Sequence, residues 1–557
     1  MGGHSSRQQA HSPPSRSVEG GPGKQGKGRG KPIPPWTLHE RVARARAARA
    51  AGKSTVTLPR QAADMPDFSL VVCPHAAKQM VEQYDHPKLP RTEIDSSESD
   101  SASDSESGRD DDDAQSGAAA AAGDGGCPSA AGLAGGQPVP KLVKPSKRFP
   151  LLETALTNSN GPEWRRQRPL VAQALAGPNA KRSRAVAAKV AADRAMAAVQ
   201  QAIASGQPID ARALGLDVAS AAVSTAVAGA RGGAIVAPVM VNLYGADLGP
   251  RHRSPDDIAA LTRATHRLAI ERRNKTSGAR AGGDGGIADP SRCTGGVDDD
   301  AADRGLLHEL VDCSQLEAAD SVTCAVHNAH SALLAGVQSV ATTLAAVLTF
   351  LAATPELQDP GKLDPTAAVR ETLRVLPPVA NLPRQVQDAA LVVGGSARAA
   401  GGDGAPGATR TAMAPQSRVN VDLVAAAHGG SDTSLQWDPV GGGGNAHRGG
   451  AAPWGMGPRV CPAGTLSVMA VAAAVRVLVE SGVRWRIADD ALAGLDPTDG
   501  SCRWLRSLVY KNTLIFSAPL PLIFERPAGN LDGASGGAPK PDAQAVVAAA
   551  HHDASDC

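Results

Sequence analysis

Several residues in this 557-residue chain have types and spacings that suit chemistry. Cys461 lies in Pro453-Trp-Gly-Met-Gly-Pro-Arg-Val-Cys-Pro-Ala-Gly464, directly before an apolar run at 465–479 that reads as a helix. Its sulfur therefore stands where a glycine-rich turn meets a helix N-terminus. Free N–H groups and the positive end of the helix dipole favour a thiolate there, and the expectation is a lowered thiol pKa. Arg459 places a fixed positive charge two residues before the sulfur. Gly455, Gly457 and Pro458 make a tight loop whose backbone can come close to a flat ligand. The chemistry expected of such a sulfur is ligation of a metal.

Other residues could serve that sulfur. Trp164 and Arg168, at i and i+4, share one helix face, and an indole N–H beside a guanidinium makes a carboxylate clamp. The longest apolar helical pattern, 321–353, must be buried on most sides. At its centre Gly336 offers close backbone approach, while Gln338 and Ser339 bring polar groups. Glu371 and Arg374, at i and i+3, can pair on the helix that stops at Pro377-Pro378.

In this order the motifs resemble those of the cytochrome P450 family. Trp454, Arg459, Cys461 and Ala463 fill the aromatic, basic, ligand and small-residue positions of its haem-binding loop. Trp164 and Arg168 are similar to its Trp-x-x-x-Arg pair, and Glu371-Thr-Leu-Arg374 to its Glu-x-x-Arg helix. Ala335-Gly336-x-Gln338-Ser339-Val340 resembles its central Ala/Gly-Gly-x-acid-Thr-Thr helix. The resemblance implies haem b with Cys461 as the axial iron ligand. It also implies that Trp164, Arg168, Arg384 and Arg459 hold the porphyrin's carboxylates, and that Arg448 is a third partner for Glu371 and Arg374. Gly336, Gln338 and Ser339 would line the oxygen site.

The implied function is a monooxygenase, an oxidoreductase inserting one oxygen atom from O2 into a lipophilic small molecule. Electrons would come from a separate reductase or ferredoxin, because no flavin or ferredoxin module is evident here. The central helix departs from the family pattern: Gln338 replaces the acid, Ser339 the first threonine and Val340 the second. A glutamine can bind water but supplies no titrating proton, so slower or less coupled oxygen activation is expected. A peroxide-rearranging enzyme of the same fold that needs no reductase, and a non-catalytic haem-binding protein, are the alternatives.

The elements that must position these groups read as mainly α with a small β-rich part, the P450-like haem-thiolate fold. Helices are expected at 37–51, 74–84, 182–204, 214–228, 254–273 and 366–376, and strands at 54–58, 68–72, 419–427, 483–487 and 513–524. One domain is expected over 36–527, with disordered insertions near 93–140, 274–303 and 394–415. The Ser/Asp/Glu run and the Gly/Ala tracts there cannot bury a core. Residues 528–557 read as a disordered tail.

Sixty glycines and only 3% aromatic residues fit one interrupted domain better than several compact ones. The net charge of +2 offers no general attraction to nucleic acid, and none is expected as a partner. Eight scattered cysteines without C-x-x-C spacing argue against a zinc site or a disulfide framework. No transmembrane helix or membrane anchor is expected. Residues 1–35, basic and nearly free of acids, read as a disordered tail or as a plastid or mitochondrial targeting segment. Met1-Gly2 with Ser6 also fits the myristoylation pattern. Plastid, mitochondrial and cytoplasmic locations are all compatible with this composition.

Overall fold

The computed structural model describes residues 36–51, 55–58, 68–71, 142–143, 150–177, 180–245, 254–281, 304–313, 318–386, 391–393, 411–413, 417–428, 435–440, 453–455, 457–490, 492–494, 501–510 and 513–526. In chain order these form β1 (Trp36–Thr37), α1 (Leu38–Ala50), β2 (Thr55–Leu58), β3 (Phe68–Val71) and β4 (Leu142–Val143). There follow α2 (Gly161–Ala176), α3 (Ala180–Ser205), β5 (Ile209–Asp210), α4 (Ala211–Tyr244), α5 (Pro255–Ala281), α6 (Leu306–Asp312), α7 (Ala318–Ala353) and α8 (Pro365–Val375). The C-terminal part holds β6 (Asn381–Val386), β7 (Leu391–Val393), β8 (Thr411–Met413), β9 (Arg418–Asp422), α9 (Leu423–His428) and α10 (Gly464–Glu480). Last come β10 (Arg484–Ile487), β11 (Leu508–Tyr510), β12 (Leu514–Phe516) and β13 (Pro521–Glu525). The helix expected at 74–84 and the candidate Arg448 fall outside the described residues.

The core is built on α7. Leu333, Val337, Val340, Leu344, Val347, Leu348, Phe350 and Leu351 are all fully or almost fully buried. Each contributes about 1.5–3 kcal/mol by leaving water. Small residues let α4 cross α7 at very short range. A Cβ on Gly215 would lie 2.4 Å from the Ala341 carbonyl oxygen, and one on Gly336 would lie 3.0 Å from Val223 Cγ1. Gly336 therefore serves the packing of two helices, since the side on which a Cβ would stand is taken by Val223 of α4.

Among the described residues, two helices are long and apolar enough to cross a membrane by length and composition alone. They are α4 and the 321–353 part of α7, and 83% of the most apolar stretch of each is buried inside the protein. Their apolarity is that of core helices, in which small and β-branched residues pack on all sides.

The sheets are small. The largest has the order β2-β3-β9-β6-β4, with β3 and β9 parallel and the other pairs antiparallel. The strand expected over 419–427 ends early, at Asp422. The Asp422 carboxylate accepts the Ala425 N–H (3.0 Å) and the Arg41 guanidinium (3.1 Å), which starts α9 in place of more strand. The strand expected over 513–524 is two strands in different sheets. Between them the turn at 517–520 carries Pro519, which cannot donate to a ladder.

A polar contact ties α7 to its surroundings. His330 is buried, with Nε2 2.8 Å from Thr265 Oγ1 on α5 and Nδ1 3.3 Å from the Leu151 carbonyl. A carbonyl only accepts, so in the Leu151 contact Nδ1 is the donor; the Thr265 hydroxyl, which donates to the Leu261 carbonyl (2.9 Å), lies beside Nε2. Burial pushes the imidazole pKa down to about 4 from 6.5. The unfolded chain binds the extra proton between those values, so stability from this group is full above about pH 6.5 and is lost as pH falls toward 4. The loss amounts to about 3 kcal/mol at the lower limit. Urea unfolding at pH 7 and pH 4.5 should show a steeper loss for the wild type than for His330→Gln. Equal losses would assign the acid sensitivity to other groups.

Candidate functional site

Cys461 is held by its own loop. Its N–H donates to the Trp454 carbonyl (2.9 Å), and the Val460 N–H donates to the Gly457 carbonyl (3.0 Å). Gly455 and Gly457 have φ of 79° and 67°, a conformation that costs other residues energy and lets the loop double back under the sulfur. Trp454 then lies against the start of α10, where a Cβ on Gly464 would meet its indole at 3.3 Å. Val460 and Cys461 are both exposed.

The thiol departs from the sequence expectation. Although Cys461 is solvent-accessible on one side, protein rings the sulfur, and burial pushes its pKa up. The Ala463 N–H and the Arg168 cation act in the opposite direction and are outweighed. The free side chain is therefore a thiol at neutral pH, and a metal that takes the sulfur as thiolate displaces its proton.

The cation that acts on the sulfur is Arg168, on α2. Arg459, two residues from Cys461 in sequence, turns away to the N-terminus of α2. Its guanidinium lies 4.7 Å above the Trp164 ring and donates to the Ser159 carbonyl (3.3 Å) and Asn160 Oδ1 (2.9 Å). Asn160 is the N-cap of α2, so Arg459 joins the cysteine loop to the helix that carries Trp164 and Arg168. Arg459 thus sits on the Trp164 ring while Arg168 faces the sulfur, so the two arginines exchange the neighbours expected of them. Asn160 and Ser159 were not among the candidates; an Asn one residue before a Gly-Pro helix start is the signal that could have found them.

Arg384 lies on β6 and is 4% exposed, with Nη1 donating to the Pro383 carbonyl (3.0 Å). Leu382, two residues earlier and so on the same strand face, approaches the cysteine loop: a Cβ on Gly455 would sit 3.6 Å from Leu382 Cδ1. Arg384 therefore shares the strand face whose Leu382 meets the loop.

On α7 an accessible stripe interrupts the buried surface. Ala335 is exposed, and Ala332, Gly336 and Ser339 are half-buried, at i, i+3, i+4 and i+7 spacing. The Ser339 hydroxyl donates back to the Ala335 carbonyl (2.8 Å), and the Thr343 hydroxyl to the Ser339 carbonyl (2.8 Å). Gln338 points elsewhere. It is 7% exposed and its Nε2 donates to Thr513 Oγ1 (3.0 Å), just before β12.

Glu371 and Arg374 form a two-point ion pair (Nε 2.8 Å, Nη2 2.7 Å) with Glu371 only 1% exposed. The Asp438 N–H donates to Glu371 Oε1 (3.1 Å) and Arg374 Nη2 to the Gln436 carbonyl (2.8 Å). Trp437 between them donates its indole N–H to Thr372 Oγ1 (3.0 Å) and stacks on Phe350. This cluster anchors the segment upstream of the cysteine loop to α8.

No protein-family model matches the sequence, and no curated protein matches it. Solved structures do. P450 OxyD, involved in the biosynthesis of vancomycin-type antibiotics, aligns over 88% of this chain and 97% of its own, with a TM-score of 0.54 and 16% identity. The cytochrome P450 CYP102L1 aligns over 89% and 100%, with a TM-score of 0.53 and 14% identity. Mycobacterium marinum cytochrome P450 CYP150A6, in its substrate-free form, aligns over 88% and 97%, with a TM-score of 0.52 and 13% identity.

Proposed function

From the premise of a cytochrome P450-like fold, we propose that this protein is a haem-thiolate monooxygenase acting on a lipophilic small molecule. The observation that carries this reading is the sulfur of Cys461, accessible on one side and faced by the Arg168 cation at the end of a doubled glycine turn. The donor set suits haem b. Cys461 would be the axial ligand; Arg168, Arg384 and Arg459 would neutralise the porphyrin's carboxylates, since buried anionic groups need cations close by, and Trp164 would offer them its indole N–H. When bound, the haem would supply a thiolate-ligated iron able to activate O2 with electrons from a separate reductase or ferredoxin.

The chain's own groups do the rest. The Ala463 N–H and Arg168 stabilise the sulfur as an anion once its proton is displaced. Arg459, anchored on Asn160 and the Trp164 ring, fixes the loop against α2 so that the sulfur's position is not left to loop motion. The accessible stripe of α7 offers one hydroxyl, that of Ser339, among small apolar surfaces. Such a wall favours an apolar substrate, because a polar one would lose its water without new partners.

The test is turnover of the haem-loaded protein with a broad panel of apolar compounds. The expected result is product formation that requires NADPH, O2 and an added reductase or ferredoxin pair. Consumption of lipid hydroperoxides alone, with no reductase-dependent product, would overturn the monooxygenase reading.

A further inference from the structure

Gln338 occupies the central helix next to Ser339, yet its amide is engaged away from the accessible stripe. It donates to Thr513 Oγ1 at 3.0 Å. Thr513 in turn pairs across an antiparallel bridge with Val379. The neighbouring Leu514 N–H donates to the Pro378 carbonyl (2.9 Å), and the Tyr510 hydroxyl donates to the Pro377 carbonyl (3.1 Å). From Val379 the chain enters β6, and three residues later Leu382 meets Gly455 of the cysteine loop. The segment 379–382 therefore spans from the α7–Thr513 contact to the loop that carries Cys461. Val379, Asn381, Leu382 and Pro383 are all half-buried, so this segment keeps an accessible side.

We propose that Gln338 is a positioning residue: with Thr513 it forms a strut that sets the height of the 379–382 wall above the cysteine loop, and so selects ligands by size. This deepens the monooxygenase reading and rests on it. The physical reason is the burial of the bond. A neutral hydrogen bond between two side chains at the edge of a core is worth about 1 kcal/mol, and breaking it leaves an amide or hydroxyl without its partner in a place water reaches poorly. Among the residues described, the strut joins α7 to the hairpin of β11 and β12, elements about 175 residues apart in sequence. Movement of Thr513 is transmitted to Val379 through a backbone bridge, which is stiff. A side chain committed in this way orients a wall; the hydroxyl on the accessible stripe belongs to Ser339 alone.

The test uses the haem-loaded full chain and two probes that bind ferric haem iron, imidazole and phenylimidazole, followed by their shift of the Soret band. Thr513→Val removes the acceptor while keeping the shape. It should change phenylimidazole affinity by about fivefold, the equivalent of ~1 kcal/mol, while imidazole changes less than twofold. Thr513→Ser should restore the wild-type ratio. Gln338→Leu should match Thr513→Val, and the double variant should add nothing, because both break one bond. Amide hydrogen exchange at Leu514 should quicken in Thr513→Val, a readout that needs no haem. An unchanged azole ratio with unchanged exchange, or a Ser variant that fails to restore the ratio, would overturn the strut. Should the wild type itself lack a thiolate-type haem spectrum, the haem reading fails, and the exchange measurement alone decides the strut.

Discussion

Cys461→Ser should abolish the red-shifted Soret band of the reduced carbon monoxide complex and reduce any reductase-dependent turnover by more than about 100-fold. Removing a mere second partner of a metal ligand costs 10–100-fold, and here the ligand itself is lost. The hydroxyl of serine is a poor donor to iron and does not ionise in this setting. Cys461→His should keep haem but give the spectrum of a nitrogen-ligated iron, which separates loss of the thiolate from collapse of the pocket. Cys502 is the control. It is buried beside Trp504, and burial pushes its pKa up to about 11. Cys502→Ser should leave the spectrum unchanged. Survival of the thiolate band in Cys461→Ser would end the assignment of this loop as the iron site.

How much of this arrangement could be read from sequence follows from what each residue depends on. The cysteine loop was legible because its glycines, its helix start and its sulfur are neighbours in the chain. Glu371 with Arg374 was legible for the same reason: helical spacing fixes which side chains share a face. The direction of the thiol pKa was not. Local features predict a lowered value, whereas the surrounding protein, gathered from distant elements, desolvates the sulfur and raises it. The two arginines exchanged neighbours because cation–ring stacking and helix capping drew Arg459 to Asn160 and Trp164, leaving Arg168 to face the sulfur. Thr513 carries no sequence signal at all, since its partner Gln338 lies 175 residues away. Gly336 read as room for a ligand; the glycine is used by Val223 of α4, a contact no periodicity reveals.

Glu371→Gln should be the most damaging single change to stability outside the cysteine loop. Glu371 is almost completely buried, its two oxygens accept two bonds from Arg374, and one of them also accepts the Asp438 N–H. Removing one member of a buried pair leaves the other's charge without compensation, which costs about 3–5 kcal/mol. Glutamine keeps the shape and one acceptor, so the loss measures charge and not packing. Arg374→Met should cost a similar amount, since it strands the Glu371 carboxylate. Replacing both, as Glu371→Leu with Arg374→Met, should cost less than either single change, because two apolar side chains of similar volume need no solvation. Equilibrium urea unfolding of these proteins together with Glu371→Leu alone gives the comparison. A loss in the double variant equal to the sum for Glu371→Leu and Arg374→Met would show that the pair is not coupled and that its role lies in the separate contacts to Asp438 and Gln436. The same variants bear on the site itself. The pair, with Trp437 stacked on Phe350, ties the segment at 436–438 to α8 and to the core of α7. Loosening that tie should raise the rate of haem loss from the loaded protein in both single variants, even though neither residue lies beside Cys461. A wild-type rate of haem loss in a destabilised Glu371→Gln would confine the cluster to folding.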